Sequence, residues 1–170
     1  KEILVTYPEA IFEKVVDPQH LESQKIVIEK NEDLDVDTII EVLVGYGFER
    51  TDFVYEPGQF SIRGGIVDIF PPGDTGPVRL DFFGDVLDGA RRFDPDSQRT
   101  IEKLNSVDFA PVSEVILDEN AITRFRQNYR IEFGTAGSND PLYEAVSAGR
   151  KHQGMEHWLC FFHEKLESLF

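Results

Sequence analysis

From residue 48 to residue 112 the apolar side chains recur at every second position, in short runs separated by turn chemistry. The runs are 58–63, 66–70, 77–83, 86–93 and 99–109. Between them lie Gly64-Gly65, Pro71-Pro72-Gly73-Asp74, Gly84-Asp85 and Asp94-Pro95-Asp96. A period of two sends successive side chains to opposite faces of a sheet, and a helix cannot bury such a pattern on one side. Short strands joined this closely form an antiparallel meander. A helical bundle is thereby ruled out, and the fold is centred on a β module.

The flanks read differently. Residues 3–6 are a short apolar strand, and Thr6-Tyr7-Pro8-Glu9 has the spacing of a capping box opening a helix toward Val16. A second strand covers 25–29. Asp35 is placed to cap a helix whose apolar positions Val36, Ile39, Ile40, Leu43 and Val44 form one stripe, with Gly45 and Gly47 ending it. This alternation predicts the tail of an α/β domain over 1–47. Beyond 112, Asp118 is placed to cap a helix carrying Ile122, Phe125, Tyr129 and Phe133, residues 134–139 read as a loop, and 141–148 as a second helix. The expected fold class is therefore α+β: an antiparallel β-rich central domain over 48–112, the tail of an α/β domain before it, and a mostly helical segment over 113–170. The chain opens at Lys1 without a methionine and stops at Leu169-Phe170 within an apolar stretch, which reads as a piece of a longer protein.

Charge and composition narrow the chemistry. Lys and Arg number 17 against 32 Asp and Glu, a net charge of −15. Such a balance argues against wrapping a phosphate backbone, which requires a basic surface. The deficit is uneven: −7 over 1–45, −5 over 46–112 and −3 over 113–170. In the middle segment six of the seven cations are Arg, Lys103 being the exception. Arg is enriched at protein interfaces and Lys depleted. The longest apolar run, 158–162, is five residues, too short to span a bilayer, and a cytoplasmic location is expected. Cys160 is the single cysteine, so an internal disulfide is excluded, and its apolar neighbours Leu159 and Phe161-Phe162 predict a buried, inert thiol.

Catalytic motifs fail on inspection. Gly84 to Gly89 and Gly149 to Gly154 have the glycine spacing of a phosphate loop but lack the lysine and hydroxyl that hold phosphate and magnesium. His157 and His163 are six apart, not the i, i+4 spacing of a helical zinc pair. No catalytic residue, cofactor or metal ligand is assigned, and the chain is expected not to be an enzyme.

The anomaly lies on the strands. In 77–83 alternation sends Val78, Leu80 and Phe82 to one face, and Arg79, Asp81 and Phe83 to the other. Gly84-Asp85 suits a tight hairpin with glycine first, which sets Phe83 opposite Val86, Asp81 opposite Asp88 and Arg79 opposite Ala90. In 58–63, Phe60 and Ile62 point inward while Gln59, Ser61 and Arg63 point outward. An exposed aromatic beside arginines has the composition of a protein-binding hot spot. The alternatives are that another layer covers Phe83, and that Arg63 and Arg79 only pair with Asp81 or Asp88.

These same residues carry a resemblance. Glu56-Pro-Gly-Gln-Phe-Ser-Ile-Arg-Gly-Gly-Ile-Val-Asp-Ile-Phe-Pro-Pro-Gly73, Pro77-Val-Arg-Leu-Asp-Phe-Phe-Gly-Asp85 and Arg91-Arg-Phe-Asp-Pro95 closely resemble the UvrB family. They are most similar to the N-terminal UvrB-like module of bacterial transcription-repair coupling factors, and Gly154-Met-Glu-His-Trp158 looks like the version those proteins carry. The resemblance implies a UvrB domain 2-like module in nucleotide excision repair that recruits UvrA, with Arg63, Arg79 and Phe83 as the matched partner-binding residues. It also implies masking of that surface by the full-length protein's own C-terminal domain. ATP and magnesium, RNA polymerase and DNA would be engaged by other domains. Two rival readings remain open at this point: an intramolecular scaffold contacting that C-terminal domain, and a degenerate nucleotide-binding domain.

Overall fold

The computed structural model describes residues 14–134 and 140–168. In chain order the elements are β1 (Lys14–Val16), α1 (Pro18–Ser23), β2 (Ile26–Glu29), α2 (Val36–Gly45), β3 (Glu49–Arg50), β4 (Gln59–Arg63), β5 (Ile66–Ile69), β6 (Val78–Phe83), β7 (Val86–Phe93), β8 (Thr100–Leu104), β9 (Ser106–Phe109), α3 (Glu119–Phe133), α4 (Pro141–Ser147), a 3₁₀ turn (Met155–Trp158), α5 (Leu159–Phe162) and β10 (Leu166–Ser168). The fold is α+β, and the chain divides into two compact units, 22–113 and 1–21 with 114–170. The strand expected over 3–6 and the capping box at Thr6 lie outside the described residues. Among the described residues no helix is long and apolar enough to cross a membrane.

The unit over 22–113 is built on a six-stranded sheet ordered β3-β4-β5-β6-β7-β8. Strands β4 to β8 form the antiparallel meander that the period of two requires, and β3 adds a two-residue parallel edge. One face carries Phe60, Val67, Ile69, Val78, Leu80, Leu87 and Ala90. They form one core with Ile39 and Leu43 of α2 and with Ile28, Val107 and Phe109. Asp35 caps α2 by accepting from the Asp37 amide at 3.1 Å, as its position before the apolar stripe predicts. The run 99–109, expected as one strand, is two. β8 ends at Leu104, and β9 leaves the sheet to pair antiparallel with β2, Val27 opposite Asp108. The break follows from the pattern itself, since 100–103 is exposed throughout whereas Val107 and Phe109 alternate inward.

The turn between β4 and β5 is held closely against β6 by glycine. A Cβ placed on Gly65 would stand 2.7 Å from the Phe82 carbonyl oxygen, which is also the strand that accepts Gly65 as neighbour through the Phe82 N–H to Gly65 O hydrogen bond at 2.7 Å. Backbone cannot yield as a flexible side chain does.

The second unit gathers an aromatic core. α3 is capped by Asp118, which accepts from the Ala121 amide at 2.7 Å. It buries Phe125 and Tyr129 against Leu142, Tyr143 and Val146 of α4 and against Phe162, whose ring stacks on Phe125 at 4.8 Å. The expected helix does not extend to Val16: Lys14–Val16 is a strand paired with β10, as its β-branched Val15-Val16 favours, and the residues before 14 lie outside the described ones. Cys160 is exposed rather than buried, because Leu159 and Phe162, three apart on α5, take the core-facing side. Burial, with a hydrogen bond to Asp140 second, pushes the Tyr129 hydroxyl up to about 12.

Two outcomes follow. Gly65→Ala should destabilise the unit over 22–113 by about 1–3 kcal/mol in urea unfolding, as overpacking against immovable atoms does. Because Tyr129 ionises later in the folded chain than in the unfolded one, its contribution is intact below pH ~10 and lost as pH rises toward about 12. Near-ultraviolet circular dichroism should show that loss, and Tyr129→Phe should flatten this part of the profile.

Candidate partner-binding face

The other face of the sheet is polar, and its register is explicit. Ser61 stands opposite Asp68, Asp68 opposite Arg79, and Arg79 opposite Arg91, one residue per strand from β4 to β7. Residues paired this way share a face and touch. Asp68 is the centre of the row: it is 1% exposed, on a strand whose neighbours Val67 and Ile69 face the core. A buried carboxylate is costly unless paired and hydrogen-bonded. Arg79 meets that requirement with a two-pronged contact, Nε to Oδ1 at 2.6 Å and Nη2 to Oδ2 at 2.8 Å. Arg63 adds a third bond, Nη2 to Oδ2 at 2.5 Å. Such forked contacts to an ionised acceptor are among the strong hydrogen bonds of proteins.

Both arginines are fixed further. Arg79 lies over the buried Phe93 ring at 4.4 Å, and its Nη2 also donates to Gln98 Oε1 at 2.7 Å. Gln98 sits in the left-handed region at φ 60, held there by its own Nε2 donating to Pro95 O at 2.7 Å and by the Asp94–Ser97 turn. Arg63 donates from Nη1 to Asp52 O at 3.0 Å and to Ser61 Oγ at 3.2 Å, and it stacks over Phe53 at 5.1 Å. The Arg79 guanidinium holds its proton more tightly than a free one, chiefly through its own hydrogen bonds to Asp68.

The sequence-derived site residues therefore occupy one face but different situations. Phe83, at the β6–β7 turn, is 85% exposed with Val86 opposite and also exposed, so no layer of this unit covers it. Arg63 is partly open. Arg79 is not an open side chain: only 13% of it is exposed. The two arginines pair with Asp68, not with Asp81 or Asp88, and Asp81 is taken by Arg91. The register expected for the hairpin holds at its tip and fails beyond it. Phe83 faces Val86 and Phe82 faces Leu87, but Asp81 faces Gly89 and Arg79 faces Arg91. Asp88 is an extra residue in β7, a bulge that keeps both Leu87 and Ala90 on the core side. Ser61, expected on the outward side, lies on that face but is buried beneath the arginines.

The tip is braced from outside the meander. Asn31 N donates to Leu87 O at 2.8 Å, Leu87 N to Glu32 O at 3.1 Å, and Leu34 N to Asp85 O at 2.7 Å. Asp68, Phe93, Gln98 and this brace are the parts that sequence reasoning missed. Only Asp68 had a visible signal, a lone carboxylate inside an apolar run. Among the described residues no three His, Cys, Asp or Glu side chains converge as a metal site.

The sheet thus commits one face to the core and carries on the other an open aromatic tip and a row of fixed arginines. The sequence profile of the UvrB interaction domain matches residues 26–115, and the chain belongs to that family. It is similar to the transcription-repair-coupling factor of Escherichia coli strain K12, 34% identical over 169 residues, covering 99% of this chain and 15% of that protein. The protein of the same name from Haemophilus influenzae is 33% identical over 94% of the chain and 14% of its own length. That from Bacillus subtilis strain 168 is 33% identical over 98% of the chain and 15% of its own length. The chain thus spans about one-seventh of these curated relatives.

Removing the carboxylate while keeping its shape tests the centre of the row. Asp68→Asn should lower stability by about 3 kcal/mol, because Arg79 would remain largely buried without a counter-charge. Chemical denaturation checks it, and a loss below about 1 kcal/mol would show that the guanidinium is solvated instead.

Proposed function

We propose that this chain is the UvrA-recruiting module of a transcription-repair coupling factor, acting in nucleotide excision repair by binding rather than by catalysis. The observation that carries the reading is Phe83, 85% exposed on a turn held by the backbone hydrogen bonds of 31–34. A large apolar side chain displayed on a braced turn is exposed at a cost to solubility and is pre-organised for a partner. Phe83 is the apolar anchor. Arg63, partly open on the same face, supplies charge-assisted hydrogen bonds to carboxylates or carbonyls of UvrA. Arg79 acts chiefly by holding Asp68, and through it Arg63, in place; its Nη1 makes no hydrogen bond among the described residues.

The translocase activity, the contact with RNA polymerase and DNA, the binding of ATP and magnesium, and the masking of this face by the protein's own C-terminal domain belong, on the same reading, to the rest of the full-length protein. No cofactor is assigned to this chain.

Titration against UvrA at near-physiological salt tests the proposal. Phe83→Ala is the informative variant, since the side chain packs against nothing in the core and its removal leaves the fold intact. It should weaken binding by about 2 kcal/mol or more, the magnitude of an interface anchor. A loss under about 0.5 kcal/mol would demote Phe83 to a bystander. Arg79→Ala is a poor control here, because it strands Asp68 and perturbs stability along with binding.

A further inference from the structure

The polar row does not end at Arg91. Arg91 stands opposite Lys103 on β8, so three cations, Arg79, Arg91 and Lys103, lie abreast on one face. Like charges set directly opposite one another are destabilising in a sheet. Asp68 compensates Arg79 and Asp81 compensates Arg91. Lys103 has no ion pair among the described residues. A groove of about 280 Å³ lies at this end of the row, lined by Arg91 and Lys103 together with Lys30, Asp81 and Asp88. Lys30 is brought there by its backbone N–H, which donates to Asn105 O at 2.9 Å, and it too lacks an ion pair among the described residues. With Asp81 already engaged by Arg91, two uncompensated ammonium groups face one free carboxylate, Asp88. In a chain of net charge −15 this is a local reversal of sign.

We infer that the Lys30–Lys103 groove is the electrostatic rim of the UvrA-binding face and takes an acidic cluster of that partner's side chains. The inference rests on the proposed function and extends its surface along the row, away from Arg63 and toward β8. Lysines are poor core contacts of interfaces but suit a rim, where an unpaired charge accelerates encounter and sets salt dependence more than it sets the lifetime of the complex. Phe83 and the groove then divide the work: the anchor slows dissociation, and the cations steer association through a field that otherwise repels acidic surfaces.

The experiment is stopped-flow or biosensor kinetics of the 170-residue chain with UvrA across a series of salt concentrations, comparing wild type, Phe83→Ala, Lys30→Glu/Lys103→Glu and Lys30→Arg/Lys103→Arg. Both lysines are exposed, so the charge reversals leave the core untouched. The Glu pair should slow association about tenfold at low salt and flatten its salt dependence while changing dissociation little, and the Arg pair should behave as wild type. Association within twofold of wild type, with an unchanged salt slope, overturns the rim while leaving the Phe83 reading intact if Phe83→Ala still loses binding. Absence of wild-type binding overturns both. A parallel titration with duplex DNA separates the other anion source: saturable DNA binding lost in the Glu pair, with UvrA association unchanged, would assign the groove to phosphate and overturn the inference.

Discussion

The buried Asp68 carboxylate is the interaction on which the polar face of the meander depends. A charge removed from water inside a sheet is tolerated only where its acceptor sites are filled. Filling them recruits two arginines from two different strands and fixes both. Arg79 then roofs Phe93 and reaches Gln98, so the loop joining β7 to β8 is tied to the same centre. Arg63 reaches the loop before β4 through Asp52 and Phe53. One carboxylate thus organises the polar side of the meander much as Phe60 and Leu80 organise its apolar side. The result is a stiff surface whose side chains are already in position, with little conformational freedom left to lose.

The exposed tip complements that stiffness. Phe83 and Val86 close a glycine-first turn, and the bulge at Asp88 lets β7 keep Leu87 and Ala90 in the core after the chain has turned. Leu87 and Ala90 are three apart, so on a regularly paired strand they would take opposite faces; the bulge is what puts both in the core. The segment 31–34 braces the turn by main-chain hydrogen bonds alone. The aromatic is therefore displayed by a structure that resists folding back over it.

Much of this was legible in the residues. The period of two marked the meander, the capping aspartates Asp35 and Asp118 marked their helices, and alternation put Phe83 outward with Arg63 and Arg79. Elsewhere tertiary contacts override the local pattern. The sequence neighbours of Cys160 are apolar, but on a helix the residues three apart decide which side is buried. The run 99–109 has the pattern of one strand, but its second half, β9, pairs with β2. Alternation sends Arg79 outward, but outward on a strand is not the same as exposed once a buried carboxylate pulls the side chain flat.

By itself, then, the sequence determined periodicity, turn positions and the face each side chain takes, because these follow from backbone geometry over a few residues. Tertiary structure alone decided which charges meet. Whether Arg79 pairs with Asp68 or Asp81, and whether Lys103 stands beside Arg91, depends on the register between strands. That register is set by a bulge and by packing across the core, and neither is written in any short stretch of the chain.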